Sequence, residues 1–173
     1  VGFFAIPAKI VYALQQIIPA AFAAAMFPLF SYAYAHARTE LKNNFIQAIR
    51  YMCLISFPLT GGLVLLAKPI ITTVWPAYQT VIPSFRLMTF AIPFIFLAFP
   101  TGYLLNACDR QKNTTINRGI ITALAVILNV LLIIRYSFFG AAVTFLITNV
   151  ILLVLDFWWV NKIIPLSAAT YRP

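Results

Sequence analysis

Long apolar stretches alternate with short polar ones along the chain, and the apolar stretches are long enough to cross a bilayer. A helix that crosses a hydrocarbon core about 30 Å thick needs roughly 20 apolar residues. Five stretches reach or approach that length, and we predict transmembrane helices at about 3–35, 49–74, 85–107, 119–134 and 140–160. The pattern therefore predicts an all-α integral membrane protein, a polytopic bundle of about five helices within a single transmembrane region, 1–173.

The segments between these stretches predict loops of two kinds. Segments 36–44 and 109–118 are polar and basic, whereas 75–83 and 135–139 are short and aromatic. The fourth apolar stretch is short, so we expect its helix to extend into the flanking residues.

Composition excludes several classes of protein. Hydrophobic residues make up 63% of the chain and charged residues 9%, and the mean hydropathy is +0.96. Soluble domains average roughly 45–50% hydrophobic and about 25% charged residues. The chain therefore lacks the polar side chains that a water-facing surface requires. A soluble enzyme, a secreted disulfide scaffold and a disordered tail are therefore excluded.

Charge indicates an orientation in the membrane rather than a nucleic-acid partner. Twelve Lys and Arg stand against three acids, a net charge of +9, and the cations fall between the apolar runs. One side of the predicted bundle collects Arg38, Lys42, Arg50, Arg110, Lys112, Arg118, Lys162 and Arg172, and the other collects Lys9, Lys68, Arg86 and Arg135. The richer side is predicted to be cytoplasmic, which places the first residue outside and the last inside.

The chain opens without an initiator Met and without the basic region of a signal peptide. We therefore expect a fragment of a longer protein.

Prolines are frequent inside the predicted spans, and two interpretations stay open. They are Pro7, Pro19 and Pro28 in the first span, Pro58 in the second, and Pro93 and Pro100 in the third. Either proline is simply common in membrane helices, or the helices bend to open a cavity.

The residues offer little to a catalyst. The only acids are Glu40, Asp109 and Asp156, the only histidine is His36, and no cluster of them has metal-ligand spacing. Cys53 and Cys108 form no CxxC pair and are interpreted as structural thiols. We therefore expect no enzyme, no metal and no cofactor.

Cations at membrane depth are the strongest candidates for a binding site. Lys9 lies about 12 Å into the first span, deeper than a side chain snorkels easily, so it is predicted to face a polar cavity. Lys68 and Arg86 lie near the outer interface, where snorkelling is the simpler explanation. A cationic cavity would suit a phosphate or pyrophosphate, and the polar residues Gln15, Gln16 and Asn106 are candidates to line it.

Four motifs resemble those of one membrane family, in the same order. They are PLFS at 28–31, PLTGGLVLLAKPII at 58–71, LLNACDRQK at 104–112 and LNVLLIIRYSFFGAA at 128–142. Together they resemble the O-antigen and polysaccharide flippases of the multidrug/oligosaccharidyl-lipid/polysaccharide superfamily. Two positions depart from the family pattern: Ser137 stands where a glycine usually follows the tyrosine, and Trp75-Pro76 where a glycine is common.

The resemblance implies part of the C-terminal lobe of a two-lobe transporter with a dozen or more helices. It implies a substrate, an undecaprenyl-pyrophosphate-linked oligosaccharide for O-antigen, capsule or exopolysaccharide, moved across the inner membrane by alternating access. It also implies a polysaccharide polymerase and export machinery as partners, and no nucleic acid.

Three other functions stay open. A drug/ion antiporter of the same superfamily would need membrane carboxylates, for which only Asp156 is placed. A membrane-embedded glycosyltransferase or polymerase would need a large outer loop, whereas the outer loops here are short. A purely structural membrane subunit would not need polar residues within its helices.

Overall fold

A computed structural model describes residues 2–164, and these form helices joined by short links. The elements are α1 (Gly2–His36), α2 (Arg38–Val74), a 3₁₀ turn (Pro76–Val81), α3 (Ile82–Thr89), α4 (Ile92–Ala107) and α5 (Gln111–Ile163). No strand occurs in this part of the chain. The predicted all-α membrane bundle is confirmed, while Arg172 lies outside the described residues.

Helix α5 is not one rod but a hairpin that reverses at Ser137. In a straight helix Asn117 and Asp156 would lie about 58 Å apart at 1.5 Å per residue. Their side chains instead form a hydrogen bond of 2.7 Å. The backbone leaves the helical region between them, at Ser137, with φ 52° and ψ −134°. Residues 111–136, the first arm, therefore run antiparallel to residues 138–163, the second arm.

This reversal explains how the helices correspond to the predicted spans. By length and hydropathy, four helical stretches could cross a membrane: Ala8–His36, Arg38–Val74, Pro76–Ala107 and Gln111–Ile163. The last stretch is the hairpin, and its two arms cover the predicted spans 119–134 and 140–160. The bundle therefore offers five crossings, and the fourth extends into its flanks.

The two arms lie in close contact just after the reversal. A methyl group built on Gly140 would overlap the backbone carbonyl group of Leu132 on the first arm. Only glycine, which lacks a Cβ, allows the second arm to leave the turn at this separation.

Helix α4 lies at the centre of the bundle. It packs against α1, α2 and α5, and of the membrane-length stretches the one that contains it is the most buried. Phe96, Leu104 and Leu105 of α4 are fully or almost fully buried. Because α4 has no polar face, helices α1, α2 and α5 can all pack against it.

Two segments that the polar pattern assigns to loops are largely helical. In segment 36–44 only Ala37 interrupts the helices, and in segment 109–118 the helix begins at Gln111. Leu41, Thr114 and Asn117 of these segments are buried. Hydropathy alone suggests loops there, because it does not register that polar helical turns pack against the neighbouring elements.

Pro93 does not interrupt a helix, in contrast to its predicted place inside the third span. That span divides into α3 and α4, and Pro93 stands in the first turn of α4. A first-turn proline loses no helical hydrogen bond, because its N–H would have no partner there. Pro58, Pro69 and Pro100 do lie inside helices.

The backbone at Ser137 leads to a first prediction. A non-glycine residue in such a region costs on the order of 1–3 kcal/mol, whereas glycine adopts it freely. Ser137→Gly should therefore stabilise the protein by about 1 kcal/mol, because strain relief exceeds the added chain entropy. Thermal unfolding in detergent measures this, with Ser137→Ala as the control that keeps the Cβ. An equal gain in both variants would contradict the strain.

The close approach at Gly140 leads to a second prediction. Gly140→Ala should destabilise the fold by about 1–3 kcal/mol, because rigid backbone must move to admit the methyl group. Gly119→Ala is the matched control on the same hairpin, since nothing lies within 4 Å of its added Cβ. The control should be neutral or stabilising by up to about 1 kcal/mol. Equal unfolding temperatures for the two variants would contradict the packing of the arms.

Candidate functional site

A half-open groove runs between the two arms of the α5 hairpin and is closed on one side by Tyr12 of α1. Its volume is about 750 Å³. Its walls are formed by Tyr12, Ile121, Ala125, Asn129, Ile133, Ser137, Phe138, Ala141, Thr144, Phe145, Thr148, Asn149 and Leu152. From Ile121 to Ser137 the groove extends about 24 Å along the first arm, most of the thickness of a bilayer core.

Uncharged polar side chains follow one another along the groove. Thr144, Thr148 and Asn149 line the second arm, and Asn129 lies opposite them on the first. The Thr144 and Thr148 hydroxyls donate to the carbonyls of Gly140 (3.1 Å) and Thr144 (2.8 Å). Each hydroxyl keeps its acceptor lone pairs for another partner. The two threonines can therefore accept hydrogen bonds from a ligand at two depths while their own hydroxyl donors stay satisfied.

Tyr12 connects this groove to the face of α1 that carries two of the predicted site residues. Its ring meets that of Phe145 edge to face, with 6.0 Å between centroids. Lys9 lies one helical turn before Tyr12 and Gln16 one turn after it, and both are exposed. Residues three or four apart share one face of a helix. Lys9 and Gln16 therefore flank the Tyr12 side of the groove without lining it.

The Asn117–Asp156 pair lies one helical turn beyond the end of the groove. Asp156 follows Leu152 by four residues, and Asn117 precedes Ile121 by four, so the pair continues the facing positions of the two arms. Asp156 is fully buried and accepts the 2.7 Å hydrogen bond from Asn117 at Oδ1. Its Oδ2 has no hydrogen-bond partner among residues 2–164, and nor does the buried Thr114 hydroxyl one turn before Asn117.

Sequence reasoning missed this pair, because it assigned Asn117 to a loop. A usable signal was present. A hairpin that reverses near 137 brings together residues at equal distances from the turn, and Asn117 and Asp156 lie 20 and 19 residues away from it.

Lys9, Lys68 and Arg86 lie around one end of the bundle. Each is exposed, and each is the immediate sequence neighbour of a residue that belongs to the same apolar cluster. Those cluster residues are Ile10 of α1, Ala67 of α2 and Phe85 of α3. The three cations therefore share an end of the molecule, but none lines the groove in the hairpin.

The remaining predicted site residues lie apart from that group. Gln15 is half-buried on a different face of α1 from Lys9 and Gln16. Asn106 stands in the last turn of α4, at the opposite end of that helix from Phe85 of the neighbouring α3. A common cavity for all six residues stays a prediction.

The first half of the chain matches a known family. Residues 1–83 match a family model described as "Polysaccharide biosynthesis protein". No curated protein and no solved structure matches the chain. The match confirms the family resemblance over a range that contains the first two motifs, 28–31 and 58–71, and it supports a role in polysaccharide synthesis or export. The motifs at 104–112 and 128–142 lie beyond it.

A double-mutant cycle tests the pair at the end of the groove. Asn117→Leu leaves the buried Asp156 without its hydrogen bond and should destabilise the protein by about 2–3 kcal/mol. Asp156→Leu should also destabilise it, because the Asn117 amide is left unpaired. The double variant should lose clearly less than the sum of the two, since no polar group then remains unpartnered. Strictly additive losses in thermal unfolding would show that the two side chains do not interact.

Proposed function

We propose that this chain, of which residues 1–83 match a polysaccharide biosynthesis protein family, is part of a flippase for a lipid-linked oligosaccharide. It is a multi-pass membrane protein. We place it in the cytoplasmic membrane, with the end that carries Arg38, Arg110 and Lys162 on the cytoplasmic side. The family match is the observation that carries the proposal. The predicted substrate is an undecaprenyl-pyrophosphate-linked repeat unit of O-antigen, capsule or exopolysaccharide.

The groove in the hairpin supports this function on physical grounds. An oligosaccharide cannot cross hydrocarbon without partners for its hydroxyl groups, because each unpaired polar group costs several kcal/mol there. Thr144, Thr148, Asn149 and Asn129 offer such partners at successive depths. The groove is half-open, so a lipid tail can remain in the bilayer while the sugars follow the polar side chains. Moving an oligosaccharide across the bilayer requires no catalysis, and we propose that the chain is not an enzyme.

Lys9 is proposed to attract the pyrophosphate at the Tyr12 side of the groove. A single cation near uncharged polar groups draws an anionic headgroup without holding it permanently. Gln16, on the same face, is proposed to bind the first sugars or the phosphate oxygens. Lys68 and Arg86 at the same end are proposed to raise the local concentration of the anion.

The function is tested by deletion of the gene that encodes the full-length protein, followed by complementation. Loss of surface polysaccharide with accumulation of carrier-linked oligosaccharide on the inner leaflet is the expected result. Unchanged polysaccharide in the deletion strain would contradict the proposal. Carrier-linked monosaccharides without complete repeat units would instead identify a glycosyltransferase, and complete units on the outer leaflet a polymerase.

A prediction about Lys9 follows from its position beside Tyr12. Lys9→Ala should lower export in the complementation assay at least tenfold while the protein remains in the membrane, because an anion-attracting charge is lost. Lys9→Arg should keep most of the export, since it preserves the charge. Lys112→Ala, the same change on an exposed residue at the other end of the bundle, is the control. Normal export by Lys9→Ala would exclude the role.

A second candidate function, a drug/ion antiporter, is favoured by one observation. Asp156 is a fully buried carboxyl group with one oxygen unpartnered among the described residues, which is the kind of group that a coupling ion or proton uses. In the deletion strain an antiporter would leave surface polysaccharide unchanged and raise the sensitivity to toxic cations.

A further inference from the structure

A second cavity lies at the end of the bundle opposite the Ser137 turn, and its walls are rich in cations. Its volume is about 240 Å³, and it is lined by Tyr34, Arg38, Arg110, Trp159, Lys162 and Ile163. The three cations come from three separate parts of the chain: the first residue of α2, the link between α4 and α5, and the last turn of α5. The fold, rather than the sequence order, brings them together.

No acid balances these charges within the cavity. The sequence contains only Glu40, Asp109 and Asp156, and none of them lines it. Asp156 is buried against Asn117, while Glu40 and Asp109 are exposed. Arginine cannot lose its proton, so the repulsion between the cations persists until an anion enters.

Aromatic rings hold two of the cations in place. The Arg38 guanidinium lies 5.4 Å from the centroid of the Tyr34 ring. The Lys162 Nζ lies 3.4 Å from the Trp158 ring centroid and 4.6 Å from that of Trp159. Such contacts fix long side chains that would otherwise be mobile, and Trp and Tyr are enriched where helices leave the bilayer.

The buried thiol of Cys108 lies in the electrostatic field of both arginines. Burial raises the pKa of Cys108 to about 11, Asp109 adds to the rise, and Arg38 and Arg110 oppose it. Both guanidinium groups therefore lie within electrostatic range of one sulfur atom, beside the cavity that they line.

An apolar cavity adjoins the basic one. It has a volume of about 300 Å³ and shares Tyr34, Arg38 and Ile163 with the basic cavity. Its other walls are formed by Thr39, Leu41, Lys42 and Ile164, and most of its surface is apolar. A cationic cavity and an apolar one thus meet at common walls. This combination matches an amphiphile with a negative headgroup and a hydrocarbon chain.

We propose that the two cavities together bind one anionic phospholipid of the surrounding bilayer. Its headgroup phosphate lies among Arg38, Arg110 and Lys162, and one acyl chain lies against Leu41, Ile163 and Ile164. The basic cavity is smaller than the roughly 300–1,000 Å³ of typical ligand pockets, so it suits a phosphate headgroup rather than an oligosaccharide. The proposal does not depend on what the protein transports.

The test is native mass spectrometry of the purified full-length protein in detergent with added lipid. Phosphatidylglycerol should bind at least tenfold more tightly than phosphatidylcholine, which carries a phosphate but no net charge. Arg38→Gln/Arg110→Gln should weaken phosphatidylglycerol binding about thirtyfold, which corresponds to about 1 kcal/mol for each cation near a membrane surface. Arg38→Lys/Arg110→Lys, which keeps both charges, should retain most of the binding and shows that the fold is intact.

The matched control is Arg50→Gln/Arg135→Gln, which removes two exposed cations that line neither cavity. It should leave phosphatidylglycerol binding unchanged. An equal loss in the control would show a general attraction to charge and overturn the site, as would equal binding of the two lipids. Inorganic pyrophosphate should not displace the lipid at equal concentration, and displacement would identify a soluble-anion site instead.

Discussion

The antiparallel contact between the two arms of α5 is the constraint on which the second half of the molecule depends. Ser137 adopts a backbone conformation suited to glycine. Gly140, which has no Cβ, allows the second arm to pack directly against the Leu132 carbonyl. Every pair of facing positions below the turn follows from this geometry. It creates the groove, brings Asn117 to Asp156 and places Lys162 at the same end as Arg38 and Arg110.

The polar groups of the hairpin are arranged so that few of them face hydrocarbon without a hydrogen-bond partner. Threonine hydroxyls in the groove donate to carbonyls of their own helix, so they add acceptors to the groove without exposing unpaired donors. The one carboxyl group in the hairpin is fully buried against an amide on the facing arm. Charged side chains lie toward the two ends of the bundle. The hairpin thus keeps several polar groups between its arms while its outer surface stays compatible with lipid.

Much of this fold can be predicted from hydropathy, because a bilayer requires long apolar helices whatever their partners. The reversal between residues 135 and 139 is predictable in the same way. The Asn117–Asp156 pair is not, since hydropathy assigns Asn117 to a loop and only the register of the two arms shows what it faces. Lys9 and Gln16 could be placed on one face of α1 from their spacing. Their position beside the groove depends on the contact between Tyr12 and Phe145, which no local pattern encodes.

The hairpin register also limits how the lengths of the two arms can change during evolution. One residue inserted between Asn117 and Ser137 would turn Asn117 by 100° about the arm and move it 1.5 Å away from Asp156. A compensating insertion in the second arm restores the height but not the angle, because both partners then face away from the seam. Only insertions close to a whole number of turns in both arms together preserve the pair. Between residues 117 and 156 the length of the hairpin can therefore change only by whole helical turns, made in both arms at once.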